Sequence, residues 1–362
     1  MLGRAVRTRV SSDTFWIWTM ALLMVVAMLT SACSASSTGP NKAATPTSAA
    51  ATPAPAASVK PIKLGFSAWP GWFPWQVAEE AGIFKQVGVN AELVWFEGYV
   101  DSINALAAGQ LDANSQTLND TLASVAAGSN QVIVLTNDNS TGNDQIIATD
   151  NIRTIQDLKG KRIGVEAGVV DHFLLLLGLG SAGLSEADVQ IVNLETGAAA
   201  VAFAAGQLDV VAVFAPFTTQ ALKRTGSHAI FTSKDFPGAI PDHLVVSPEL
   251  IKNNPQDVQK LVEAWFKTLD YIKQHPDETL KIRVKRAGVS VIEYRDYDSG
   301  TTLFSLEDNI KTFGPGSDYK SLQYAAKEIS TFLVDSKLVT TAPNLNGVLD
   351  PQFVQAYARK AR

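Results

Sequence analysis

Ala105-Leu106-Ala107-Ala108-Gly109-Gln110-Leu111-Asp112 returns, with one change in eight, as Ala202-Phe203-Ala204-Ala205-Gly206-Gln207-Leu208-Asp209, 97 positions on (202 minus 105). Each copy reads as the end of an Ala-rich helix followed by a glycine suited to the left-handed C-terminal cap. A polar turn then opens a short apolar strand, Leu111 to Ser115 or Leu208 to Phe214. A period this long, occurring once, is not a solenoid. It predicts two similarly built α/β lobes in one polypeptide, with a cleft between them.

Outward from the repeat, strand and helix signals alternate, as parallel-sheet lobes require. Strands are expected at 62–67, 90–96, 111–115 and 131–137, separated by helices near 75–84, 99–108 and 119–127. A fifth strand, 145–149, connects to a second set at 161–165, 189–194, 210–214 and 229–232, with helices at 170–179, 198–205 and 216–223. Residues 242–247 read as the return strand. The remainder reads as helical, its best helix having Asn254 as N-cap, Pro255 at the first helical position and a stop at His275-Pro276. The expected division is therefore lobe 1 at 60–145 and 242–362, and lobe 2 at 146–241.

The chain has 362 residues, 46% of them hydrophobic, enough for about two domains with real cores. Thirty Lys and Arg against 35 Asp and Glu give a net charge of −5, which offers no basic footprint for nucleic acid. Arg4, Arg7 and Arg9, an apolar run over 14–30 and small residues before Cys33 read as an export signal over 1–33. The alternative is an uncleaved membrane anchor, for which the run is short and no stop-transfer cluster follows. Cys33 is the single cysteine, so it has no partner for an internal disulfide. Residues 34–59, rich in Ser, Thr, Ala and Pro, read as a disordered tether.

Several chemistries lose their sequence support. Gly178-Leu179-Gly180-Ser181-Ala182-Gly183 fits G-x-G-x-x-G but follows a helix rather than a strand, which favours a helix cap over a dinucleotide site. The four histidines have no ligand spacing, so neither a metal nor another cofactor is expected. Neither a Walker A sequence nor a G-x-S-x-G elbow occurs, and no catalytic constellation stands out.

What remains collects at strand ends, where open α/β sheets bind ligands. The first strand delivers Ser67 and the loop Trp69-Pro70-Gly71-Trp72-Phe73-Pro74-Trp75, in which three indoles in seven residues must pack or line a pocket. The second strand ends at Glu97, the third at Gln116 and Thr117, and the fourth in a polar run from Asp138 to Asp144. In the other lobe Gly168, Val170 and Asp171 sit where a helix begins. Free N–H groups there could hold an anion, or Asp171 could cap the helix itself.

From about Lys60 onward the chain resembles the periplasmic solute-binding proteins of ABC importers, in the group of alkanesulfonate, taurine, nitrate and thiamine-pyrimidine-precursor binders. The marks are the Trp69-Pro70-Gly71-Trp72 loop leading into Ala78-Glu79-Glu80-Ala81-Gly82-Ile83-Phe84, the 105–112 segment, and Asp157-Leu158-Lys159-Gly160-Lys161-Arg162-Ile163-Gly164-Val165 followed by Gly168. The resemblance implies a bilobal type II binding-protein fold that closes on a small-molecule ligand and docks to a permease and ATPase complex as a monomer. By position it implies binding segments at Ser67, Trp69, Trp72, Gln116, Thr117, Asp144, Gly168 and Val170. Leu29-Thr30-Ser31-Ala32-Cys33 resembles a lipobox, which implies lipidation of Cys33 and a membrane-anchored protein of the cell envelope; Thr30 stands where the family usually has Leu. A soluble secreted protein is the alternative.

The expected function is therefore capture of a small organic nutrient, not catalysis. A precursor-binding protein, an envelope sensor without a transporter, and a pyrimidine-synthase-type enzyme stand as alternatives, the last normally cysteine-rich. Glu97, Asp120, Asp138, Asp144, Glu166 and Asp171 outnumber the cations near the strand ends, Lys234 being the nearest in order. That excess predicts an amine-bearing ligand, such as an aminosulfonate or an aminopyrimidine, over nitrate or bicarbonate.

Overall fold

The strands follow the expected alternation closely. A computed structural model describes residues 60–361, all within one compact unit, Ala57–Arg362. The export-signal, lipobox and tether readings, Cys33 included, lie outside the described residues. The first sheet holds β1 (Ile62–Phe66), β2 (Ala91–Trp95), β3 (Ala113–Thr117), β4 (Val132–Ser140), β10 (Pro241–Val246) and β11 (Thr301–Leu303). The second holds β5 (Asp144–Thr149), β6 (Arg162–Val165), β7 (Gln190–Asn193), β8 (Val210–Phe214) and β9 (Ser227–Thr232).

The two sheets repeat one plan. In the first the order is β11-β4-β10-β3-β1-β2, and in the second β7-β6-β8-β5-β9. In both, the first strand lies between the second and the third, with parallel pairing on each side. In both, an antiparallel strand contributed from across the chain separates the third from the fourth: β10 between β3 and β4, β5 between β8 and β9.

The repeated octapeptide occupies the same place in each plan, closing the helix that feeds the third strand. Helix Tyr99–Ala107 ends before β3, and helix Thr196–Ala204 before β8. Gly109 (φ 70°) and Gly206 (φ 79°) are both left-handed. The N–H of Gln110 reaches Ala105 O at 2.9 Å and that of Gln207 reaches Ala202 O at 2.9 Å, so both helices close with the same pair of reverse bonds. The next residue seals each lobe alike. A Cβ on Gly65 of β1 would lie 2.4 Å from Leu111 Cδ1, and one on Gly164 of β6 would lie 2.5 Å from Leu208 Cδ1. The leucine fills the space the glycine leaves.

Four elements differ from expectation. The helix expected near 75–84 is two, Pro74–Glu80 and Ile83–Val87, because Gly82 turns left-handed (φ 69°) between them. β4 continues through Asp138 and Asn139 to Ser140, where a loop was expected. β11, absent from the sequence reading, pairs with that end, Thr301 to Ser140 and Leu303 to Asp138, so polar residues there keep their strand hydrogen bonds. Pro276 stops one helix and opens another, Pro276–Ala287, directly after Pro255–Gln274.

The passages between the sheets are short and tied together. Residues 141–143 lead from β4 to β5, and 233–240 lead from β9 to β10. Ser233 Oγ lies 2.7 Å from Ser140 Oγ and accepts the Gly142 N–H at 2.7 Å. Gly142 has φ 137°, and a Cβ there would meet Lys234 Cε at 2.8 Å.

Candidate functional site

Where the two sheets face each other, Trp69, Trp72, Tyr99, Thr117, Asp144, Val170, Phe214, Ile240 and Asp242 line a small cavity that is partly open to solvent.

Its aromatic wall is a closed cycle. Ring centroids lie 6.5 Å apart for Trp69 and Trp72, 5.4 Å for Trp72 and Tyr99, 6.2 Å for Tyr99 and Phe214, and 6.2 Å for Phe214 and Trp69. Phe214 ends β8 of the second sheet; the other three belong with the first. The third indole of the loop, Trp75, turns away from the cavity. It packs against Trp265 at 4.8 Å and donates to Ser115 Oγ at 2.9 Å.

Trp69 is set by a carboxylate. Its Nε1 donates to Asp138 Oδ1 at 2.9 Å, and Gly71 lies so close that a Cβ would fall 2.1 Å from Asp138 Oδ2. Asp138 faces Asp242 across β4 and β10, and Thr117 faces Asp242 across β3 and β10. Thr117 in turn receives Tyr99: its N–H donates to the Tyr99 hydroxyl at 2.9 Å, while its own Oγ1 donates to Asp120 Oδ2 at 2.7 Å.

The acids carry the unusual electrostatics. Burial pushes the carboxyls of Asp120, Asp138 and Asp144 up to about 7. Asp171 and Asp242 are driven well above the carboxylate range, first by burial and then by the neighbouring aspartates. Glu166 is raised as well, chiefly by burial. No Lys or Arg lines the cavity. Lys234, nearest in sequence order, is exposed.

Of the residues expected at the site, the cavity brings together Trp69, Trp72, Thr117, Asp144 and Val170. Five others fall elsewhere. Glu97 is exposed and accepts from Trp95 Nε1 at 2.8 Å. Gln116, next to Thr117, points to the opposite side of β3, as strand alternation demands. There it donates to Thr121 Oγ1 at 2.9 Å and Gln131 Oε1 at 2.7 Å. Ser67 is buried without lining the cavity. Gly168 is exposed and gives its N–H to His172 Nδ1 at 3.1 Å.

Asp171 neither caps its own helix nor reaches the cavity wall; its Oδ2 accepts from Thr196 Oγ1 at 3.0 Å. Asp120, which follows β3, lies near the Val170 N–H, a small lowering influence on a carboxyl raised mainly by burial. That contact joins a helix following β3 to one following β6.

Tyr99, Phe214, Ile240 and Asp242 line the cavity without having been expected. Tyr99 and Phe214 read as ordinary core positions at a helix start and a strand end. Asp242 reads as the first residue of the return strand; its one signal was a charge placed just before an apolar run. Among the described residues no group of three or more His, Cys, Asp or Glu has the geometry to hold a metal.

Comparison with known proteins places these features in context. Residues 69–279 match a family model described as NMT1/THI5 like. A putative binding protein of Brucella abortus is 27% identical over 267 residues, 71% of this chain and 81% of the relative. The taurine-binding periplasmic protein of Escherichia coli is 28% identical over 217 residues, 58% of this chain and 66% of that one. The alkanesulfonate-binding protein SsuA from Xanthomonas axonopodis pv. citri, solved bound to MOPS, superposes with a TM-score of 0.69 at 19% identity, covering 82% of this chain and all (100%) of that one. The desulfurization enzyme DszB shares the fold at a TM-score of 0.59 and 17% identity, over 83% of this chain and 100% of the enzyme.

Proposed function

The chain belongs to the NMT1/THI5-like family, and from that premise we propose that it is the solute-binding component of an ABC importer, capturing a small organic nutrient and delivering it to a membrane permease. The observation that carries this reading is the cavity between two sheets of one plan, walled by rings from both. Lobe 1 comprises 60–145 with 242–362 and lobe 2 comprises 146–241, linked by the passages at 141–143 and 233–240, which act as the hinge. The ligand contacts are Trp69, Trp72, Tyr99, Thr117, Asp144, Val170, Phe214 and Asp242. A diacylglyceryl group on Cys33 holds the protein at the membrane of the cell envelope, with 34–59 as tether.

Relatives named for taurine, and neighbours named for alkanesulfonates, support a solute of the sulfonate or nitrogen-containing kind. An enzyme of the DszB sort is the second reading, favoured by shared fold alone. Thermal unfolding of the purified protein with a panel of small solutes separates the two. Saturable stabilisation by a solute recovered unchanged supports binding, since a ligand at 100 times its Kd adds about 2.7 kcal/mol. The shift should shrink in Trp72→Phe, which keeps the ring but loses the indole N–H. Chemical conversion of the solute would support the enzyme. Absence of any stabilising solute would overturn the binding reading.

A further inference from the structure

Six acidic side chains, Asp120, Asp138, Asp144, Glu166, Asp171 and Asp242, are buried along the seam between the sheets, none more than 8% exposed. Among the described residues Arg283 is the one buried Lys or Arg. It is already bonded to Asp298 at 2.9 Å and lies over the Tyr294 ring. Among the described residues no Lys or Arg forms an ion pair with any of the six.

Structural duties account for part of the set. Asp138 holds the Trp69 indole, Asp120 accepts from Thr117, and Glu166 accepts from Thr196 Oγ1 at 2.8 Å. Asp144 and Asp242 stand apart, because both line the cavity and both are 1% exposed. Asp242 bonds the facing Asp138 carboxyl, while Asp144 Oδ2 has no hydrogen-bond partner. Nor does Trp72 Nε1, a buried donor on the same wall. Leaving a buried polar group without a partner is costly, and leaving a charge so is costlier. These atoms need a partner that arrives from outside the chain.

The sign of that partner follows from the geometry. An anionic group in this space would meet buried acids, with no arginine or lysine among the residues that line it. A cation would meet the open Asp144 oxygen, with Asp242 beside it, inside a cycle of four aromatic rings, a setting that attracts positive charge from both kinds of wall.

Resting on the solute-binding reading above, we propose that the solute is a small organic cation with N–H donors, a protonated amine, amidinium or guanidinium, whose charge is held by Asp144 and Asp242. It carries no sulfonate, and its one acceptor, a neutral hydroxyl or carbonyl, takes the Trp72 indole N–H. The pocket thus has the opposite charge preference to the sulfonate binders that share its fold.

Thermal unfolding and calorimetric titration of the purified protein at about pH 8, above the value of about 7 to which burial raises Asp144, test this. The probes are agmatine, putrescine and ethanolamine on one side, and taurine, ethanesulfonate and nitrate on the other. Saturable stabilisation by a cationic probe, with none by ethanesulfonate or nitrate, is the expected result. Asp144→Asn and Asp242→Asn should each weaken that probe roughly thirty-fold or more. Asp144→Asn should unfold, without ligand, at the same temperature as the parent or higher, because at this pH it removes an uncompensated buried charge; a merely structural aspartate would give a lower temperature. Binding of ethanesulfonate or taurine that survives or tightens in the Asn variants would overturn the charge assignment and leave solute binding intact. Failure of every cationic probe would also overturn it, whatever the broader solute panel finds.

Discussion

Gly71 leaves no room for a side chain, since a Cβ there would sit within 2.4 Å of all three atoms of the Asp138 carboxylate. Gly71→Ala should therefore displace Asp138 from Trp69 and weaken solute binding about tenfold or more, for a loss of one charge-assisted bond, with circular dichroism unchanged. The acids make a second prediction. In the unfolded chain Asp120, Asp138 and Asp144 release their protons near the ordinary value of 3.8, but in the fold they hold them to about 7. Between those limits the folded state binds more protons than the unfolded one, so these groups make stability fall as pH rises. Denaturant titrations of the unliganded protein should show that decline setting in near pH 4 and continuing through pH 7, because Asp171 and Asp242 are raised further still. Cation affinity should rise over the same window, with proton release visible as a buffer-dependent binding enthalpy. At this scale the sequence was legible where chemistry was concentrated: Trp69 and Trp72 stand out in any reading, and Asp144 ends a polar run. Tyr99, Phe214 and Asp242 were hidden because their neighbours are apolar, and what makes them functional is a partner sheet that only the folded chain supplies.

The paired helix caps give the cleanest element-scale prediction. Nothing lies within 4 Å of a Cβ added at Gly109 or Gly206, so Gly109→Ala and Gly206→Ala test backbone conformation alone. Each should destabilise the protein by about 1–2 kcal/mol, the penalty for an L-residue in the left-handed region. Gly65→Ala and Gly164→Ala test packing instead, and each should cost about 1–3 kcal/mol by pushing Leu111 or Leu208 off its seat. Chemical denaturation of the four variants would show whether the two sheets answer alike. The repeat made this level readable, because helix, glycine stop and strand are local signals written in consecutive residues. The far end of β4 was not readable. Thr136 to Ser140 is polar throughout, and its strand conformation depends on β10 and on β11, more than 100 and 160 residues away in sequence, respectively.

At the scale of the whole molecule, the account joins two sheets of one plan by two short passages and places the solute between them. Ring contacts already bridge the seam: Phe214 of β8 touches both Trp69 and Tyr99, and Asp120 faces the Val170 N–H from the other side. Those contacts describe a closed arrangement that a bound solute would hold and that the hinge at 141–143 and 233–240 would open. The most direct test is small-angle X-ray scattering of the purified protein with and without a saturating solute, using one already shown by calorimetry to bind. The account predicts a smaller radius of gyration in the bound state, reversed on dialysis. An unchanged radius at confirmed saturation would contradict closure around a ligand.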